Sequence, residues 1–368
     1  MGIRHALGAS AVLAMLAGCS AGTSAVSPAP LGQSSGASAQ AGQRQSEIAF
    51  RTDNSLLPPG VTRIWRPSIT GPGFMDPNAS AHALIFVSDT PDGVIDIYPQ
   101  AGKSQKLAGQ ITGLSQPQGL SVDAARNLYV ANTNGSNVLV YAPPYNKSPS
   151  LTLDDSGQFP ADVAVSAAGV VAVTNICSAP HCRADTASVS FYAKGSTTAC
   201  ATVSDDTIGV FNLVRVNFAG FDASGNLYID GNDPYNEASF GIVQGGCQAT
   251  SIVHILPSPT FSFFFPGTVQ VNQAGQIAIV DLAQEAIATF APPVNGGFGN
   301  PVSVTTLTGS SHAVSFALLA SGNDLYTADS GGSGSSSEYA YPAGGAAAKT
   351  IAVGGQPVGV AVSPAELP

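Results

Sequence analysis

Few stretches of this 368-residue sequence set chemically able side chains at a usable spacing. Gly32-Gln33-Ser34-Ser35-Gly36 matches the G-x-S-x-G pattern that turns a strand into a helix and exposes a serine nucleophile. Its flanks are low-complexity Ser, Ala, Gly, Gln and Pro, which supply neither element, so the match is read as coincidence. Asp230-Gly231-Asn232-Asp233, with Asn236 and Glu237, is the densest group of oxygen side chains, the ligand type Ca²⁺ prefers. Its spacing does not follow an EF-hand loop. Of the histidines beyond the first twenty residues, His82, His181, His254 and His312, none stands near a plausible nucleophile in the sequence. His254 falls inside the apolar strand pattern Ile252–Leu256, whereas His312 precedes a strand and is a candidate to face a channel mouth.

The elements that must position these groups follow from composition. Hydrophobic residues make up 44% of the chain and charged residues only 10%, with 41 Gly and 26 Pro. That mix builds a core from many short strands and tight turns rather than from long helices. A net charge of −10 argues against nucleic acid as a partner, because phosphate neutralisation needs clustered Lys and Arg.

Residues 1–18 read as a signal peptide: Arg4 and His5 give a basic start, and Ala6–Leu16 is an apolar run too short to span a bilayer. Leu16-Ala17-Gly18-Cys19 resembles a bacterial lipobox. The resemblance implies a diacylglycerol on Cys19, which would become the mature N-terminus and anchor the chain to a membrane through lipid alone. Ser20, where an Asp would signal retention, is compatible with export to an outer membrane or cell surface. Residues 19–45 lack the apolar surface to offset ordering entropy and read as a flexible tether. Residues 46–81, with the single Trp65 and several prolines, read as an extended strap, and 82–368 as the folded domain.

That domain repeats. Pro117–Asp123, Asn127–Asn132 and Val138–Tyr141 form the clearest copy, three alternating apolar runs separated by turns. Further copies begin near Pro160, Phe221, Val271 and Leu325, and a first copy at Leu84 lacks its leading strand. The missing strand stands at the other end, as Gln356–Ser363, which repeats the Pro117 segment. A ring closed by its C-terminal strand leaves no open sheet edge. The residues after each second strand, Asp89, Asn132, Asn175, Gly231, Asp281 and Asp329, are six anchors about one four-stranded blade apart. The expectation is an all-β, six-bladed β-propeller. The five polar anchors suggest either a ligand-binding ring or side chains bonding local backbone, and the second reading is preferred. Tyr98, Tyr141, Tyr192, Phe290 and Tyr341 recur at the end of the third strand, a periodicity suited to packing between blades.

Gly225–Ile229 and Asn127–Asn132 resemble the NHL-type and YVTN-type propeller repeats, and more distantly the senescence-marker and gluconolactonase propellers. The resemblance covers residues 82–364 and implies architecture more than activity. In the lactonases it implies a divalent cation held near the starts of the inner strands. The corresponding positions are Gly119, Asp162, Phe218, Thr268, Phe316 and Gly359, with Asn217 and Gln118 one residue away. Asp162 is the single carboxylate, so the ligand set the resemblance implies is absent from the ring; the expectation is no cofactor, with a Ca²⁺ held in the Asp230–Glu237 loop as the alternative. Asp162, Asn217, Thr268 and His312 remain candidates for binding at the channel mouth.

Four cysteines follow Cys19. An even number in an exported chain suggests two disulfides. The preferred pairing joins Cys177 to Cys182 across a loop and Cys200 to Cys247 between the third and fourth blades; a metal site with His181 is the alternative. The expected function is a surface-tethered binding or interaction module for a protein, peptide or glycan. The alternative is a lactonase- or lyase-like hydrolase with a relocated site, which needs Asp162 and His312 to converge.

Overall fold

The computed structural model describes residues 55–57, 62–64, 66–101, 106–146, 148–182, 187–205 and 213–364. Cys19, the tether, the Gly32–Gly36 motif and Trp65 lie outside them.

Three hairpins between a first and second strand share a five-residue phrase. In Asp222-Ala223-Ser224-Gly225-Asn226, Asp222 Oδ1 accepts the N–H groups of Ser224 and Asn226, both at 2.9 Å, and Gly225 turns the chain with φ +83°. Asn272–Gln276 repeats this, with Gly275 at φ +73°. In Asp123–Asn127, Asp123 Oδ1 accepts the Asn127 N–H at 2.7 Å, with Arg126 at φ +67°, a conformation an L-residue tolerates when the turn bonds compensate.

Six antiparallel sheets result. The inner strands are Pro357–Ser363, Pro117–Val122, Gln158–Val165, Arg215–Phe221, Pro266–Val271 and Ala313–Leu318, in blades one to six. The C-terminal strand pairs with Leu84–Asp89, closing the ring within the first blade as the repeat demands. Phe74–Met75 adds an outermost strand to that blade, and Gly345–Ala346 adds a parallel one to the fifth. Consecutive inner strands pack against one another round a central channel.

Among the described residues the core divides into six clusters: five each lie at one seam between neighbouring blades, and the sixth joins the seam of blades four and five to residues of blades one, three and six and to Leu56 and Leu57. Tyr98, Tyr141, Tyr192, Phe290 and Tyr341 each belong to a different seam and are all buried. The third-strand aromatic thus supplies the large apolar surface that holds one sheet to the next. The seam between blades four and five is the most aromatic, with Phe290 stacked on Phe298 at 4.8 Å and Phe240 edge-on to Phe263 at 5.0 Å. Both disulfides form as the spacing predicts: Cys177–Cys182 closes a loop, and Cys200–Cys247 ties the third blade to the fourth.

Candidate functional site

The site in question is the channel and the face where the inner strands begin, here called the entry face. Every inner strand carries one extra residue at this end, a β-bulge repeated six times. Each anchor pairs with the residue just before the bulge: Asp89 with Pro357, Asn132 with Pro117, Asn175 with Pro160, Gly231 with Val216, Asp281 with Pro266 and Asp329 with Ala313. Bulges re-aim side chains and free backbone N–H groups from the ladder.

This register corrects one assignment. The residue equivalent to Gly119 and Asp162 in the sixth blade is Ser315, not Phe316, because Ala313 rather than Val314 faces the anchor. The ring therefore reads Gly119, Asp162, Phe218, Thr268, Ser315 and Gly359. Two glycines in it serve close approach: a Cβ at Gly119 would overlap the Asp162 carboxylate, and one at Gly359 the Gln118 carbonyl of the next blade.

Asp162 is buried and points at its neighbour, with Oδ2 accepting the Ala219 N–H at 3.2 Å. Burial pushes its carboxyl up to about 7, with the N–H groups of Val163 and Ala219 pulling the other way. Asp230, from the second strand of the fourth blade, accepts the Phe218 N–H at 3.1 Å. Burial also raises it, and the nearby Asp162 charge adds to the rise. In the densest oxygen cluster part of the oxygens bond local groups, while Asp230 Oδ2, Asp233 Oδ2 and Asn236 Oδ1 are buried without a hydrogen-bond partner. Asp233 Oδ1 takes the N–H groups of Tyr235 and Glu237, both at 2.8 Å, and Asn232 Oδ1 accepts Asn217 Nδ2 at 3.0 Å. Among the described residues no three His, Cys, Asp or Glu side chains are grouped to hold a metal ion.

The anchors work as clips. Asn132 Oδ1 accepts the Ser115 N–H at 2.7 Å, and Asp281 Oδ2 the Phe264 N–H at 2.6 Å, each fastening the chain as it enters the inner strand of the same blade. Asp281 Oδ1 also takes the N–H groups of Ala283 and Gln284, the turn after its own strand. Asp329 binds the Ser310 hydroxyl at 2.7 Å. In the fourth blade a Cβ at Gly231 would overlap the Arg215 carbonyl, which is why the anchor there is glycine.

The four candidates do not converge. Asp162 and Thr268 line a channel cavity of about 90 Å³, together with Ser121, Gln270 and Ser315. Asn217 lies instead beside Arg215 and Asn232 at a separate void of about 20 Å³. His312 is exposed on the rim of the sixth blade, which the ring sets opposite the third blade that carries Asp162. His254 Nε2 lies 3.1 Å from Asp205 Oδ2 and is held in its strand. The pairing of Asp162 with His312 that a relocated hydrolase site needs is not made.

Two features were missed in the sequence. The first is an aromatic presentation on the entry face, where Tyr235 is 67% and Phe264 59% exposed. Phe261–Phe265 is an alternating run, and its odd-numbered rings pack inward while Phe264 turns out. That alternation was readable in the sequence. The second is a plug: Leu56 and Leu57 are buried over the channel mouth with Ala161, Phe218, Val314 and Val358. Nothing in the local sequence marks this contact.

No known protein family and no curated protein matches the chain. Solved structures share its fold. A functionally unknown protein from Desulfotomaculum acetoxidans has a TM-score of 0.50 at 13% identity, covering 79% of this chain and 87% of that one. A protein of unknown function from Bacteroides caccae has a TM-score of 0.55 at 10% identity, covering 76% and 98%. Kuenenia stuttgartiensis hydrazine synthase has a TM-score of 0.51 at 14% identity, covering 76% and 80%. At these identities the likeness is one of architecture, and it establishes the chain as a six-bladed β-propeller.

Proposed function

We propose that this chain is a non-enzymatic binding module, held at a bacterial envelope surface by a lipidated Cys19 and presenting its entry face to a protein, peptide or glycan. The observation that carries this reading is the pair Tyr235 and Phe264, two large exposed rings on the face whose channel mouth is otherwise filled. Paired cysteines suit an oxidising extracytoplasmic compartment. At the ring level, glycine at Gly119 and Gly359 and a core ring at Phe218 stand where a hydrolytic metal site would need oxygen ligands, and Asp162 is committed to backbone.

The test is binding of the full chain to arrays of envelope glycans and peptides, with a Tyr235→Ala/Phe264→Ala variant alongside. Binding that weakens at least tenfold in the variant, at unchanged melting temperature, supports the reading. Binding indifferent to both rings, or metal-dependent turnover of a lactone or ester, contradicts it.

A further inference from the structure

Three polar side chains at the entry face are almost wholly withdrawn from solvent: Gln118, Arg215 and Gln356, exposed by 0, 2 and 3%. They come from three different blades, yet each reaches main-chain atoms of the segment preceding the propeller. Gln118 Oε1 accepts the Leu56 N–H at 2.7 Å, and Arg215 Nη2 donates to the Ser55 carbonyl at 2.9 Å. Gln356 makes both kinds of bond, accepting the Ile64 N–H and donating to the Thr62 carbonyl, each at 2.7 Å. A side-chain amide used this way copies the donor and acceptor of a strand edge.

Gln118 is held ready for its task. Its Nε2 donates to Thr133 Oγ1 at 2.7 Å, and that hydroxyl donates to the Pro160 carbonyl of the third blade at 2.7 Å. The bulge residues Ala161, Val314 and Val358, with Phe218, are buried in one apolar cluster with Leu56 and Leu57. Fixed groups that read backbone, beside sockets for aliphatic side chains, are the elements by which proteins recognise extended peptides. They are also costly to bury unless something answers them.

We propose that the entry mouth is a peptide-recognition site whose resident ligand is the chain's own segment around Ser55–Leu57 and Thr62–Ile64. The ligand class that replaces it is an extended polypeptide carrying two adjacent aliphatic residues. This rests on the binding-module reading and narrows its partner to a polypeptide. A segment joined to its site acts at an effective concentration on the order of millimolar. The intact chain therefore resists exchange, and a competing peptide gains access when the covalent link is cut.

The experiment uses the full chain with a recognition sequence for a specific protease inserted after Gly71, within the exposed run 66–74. The probe is a labelled peptide of residues 52–66, with a second peptide carrying Leu56→Asp and Leu57→Asp. The expected result is one-to-one uptake by the cut chain at least a hundredfold tighter than by the uncut chain, and no uptake of the doubly acidic peptide. Gln118→Ala in the cut chain should weaken uptake at least tenfold without lowering the melting temperature of the uncut protein by more than a few degrees. Equal uptake by cut and uncut chains, uptake of the acidic peptide, or no uptake by the cut chain would overturn the proposal. Loss of peptide uptake with surviving Tyr235- and Phe264-dependent binding rejects this proposal and leaves the broader reading in place.

Discussion

Asp162 and Ser315 occupy the same level of blades three and six and do the same work for the blade that follows. Asp162 accepts the Ala219 N–H at 3.2 Å, and Ser315 Oγ accepts the Val360 N–H at 3.3 Å. Each N–H belongs to the first residue past a bulge. Asp162 and Ser315 thus satisfy backbone and join neighbouring blades across the channel.

A titration follows from the carboxylate of that pair. Burial raises Asp162 from 3.8 to about 7, and it raises Asp89 to about 7 and Asp96 to about 6, with neighbouring carboxylates contributing. A carboxyl whose folded pKa lies above its unfolded value favours folding at acid pH, and this contribution fades as pH rises through the folded pKa. The melting temperature should therefore fall between pH 4 and pH 8. Asp162→Asn keeps an acceptor for Ala219 and carries no charge, so it should stabilise the protein at pH 8 by on the order of 4 kcal/mol, a rise of about three pKa units at about 1.4 each. Near pH 4 it should be neutral. Thermal melts of both proteins across this range measure the difference.

Ser315→Ala leaves the Val360 N–H buried without its acceptor and should cost about 1–3 kcal/mol at any pH. Denaturant titration of the variant at pH 5 and pH 8 separates this pH-independent loss from the carboxylate effect.

The disulfides should contribute unequally. Cys200–Cys247 closes a separation of 47 residues and Cys177–Cys182 one of 5. On a chain-entropy basis their loss costs about 4 and about 2 kcal/mol respectively. Cys200→Ser/Cys247→Ser should lower the denaturation midpoint more than Cys177→Ser/Cys182→Ser, as equilibrium unfolding would report.

The glycine that breaks the anchor ring should be irreplaceable. Gly231→Asn, which would complete the polar ring, drives a Cβ into the Arg215 carbonyl and should destabilise the protein by about 3 kcal/mol. Soluble yield and unfolding midpoint give the answer, and a stable variant would show that the two strands can part.

How far the sequence carried the reading depends on the range of the interactions. Pro117-Gln118-Gly119 and its copy Gln356–Gly359 made ring closure legible, because strand periodicity and turn residues act locally. The cysteine pairing was legible for the same reason. Ser315 was not, because a bulge shifts register by one residue and shows only in the ladder. Gln118 was noted as a neighbour of a metal position, yet its role depends on Leu56, 62 residues earlier, and on Thr133 across the blade. Asp230 read as part of a calcium-like cluster, while in the fold it caps the Phe218 N–H and is wholly buried. Contacts that cross blades leave no periodic trace.

The most direct test of the account is a thermal melt of the full chain with Ca²⁺, with other divalent ions and with chelator. Any ligand that binds only the folded state raises the midpoint by mass action. A channel whose Asp162, Gln270 and Ser315 are committed to backbone predicts the same melting temperature in all of these solutions. A rise with one metal, reversed by chelator, would contradict the account and return the channel to the hydrolases.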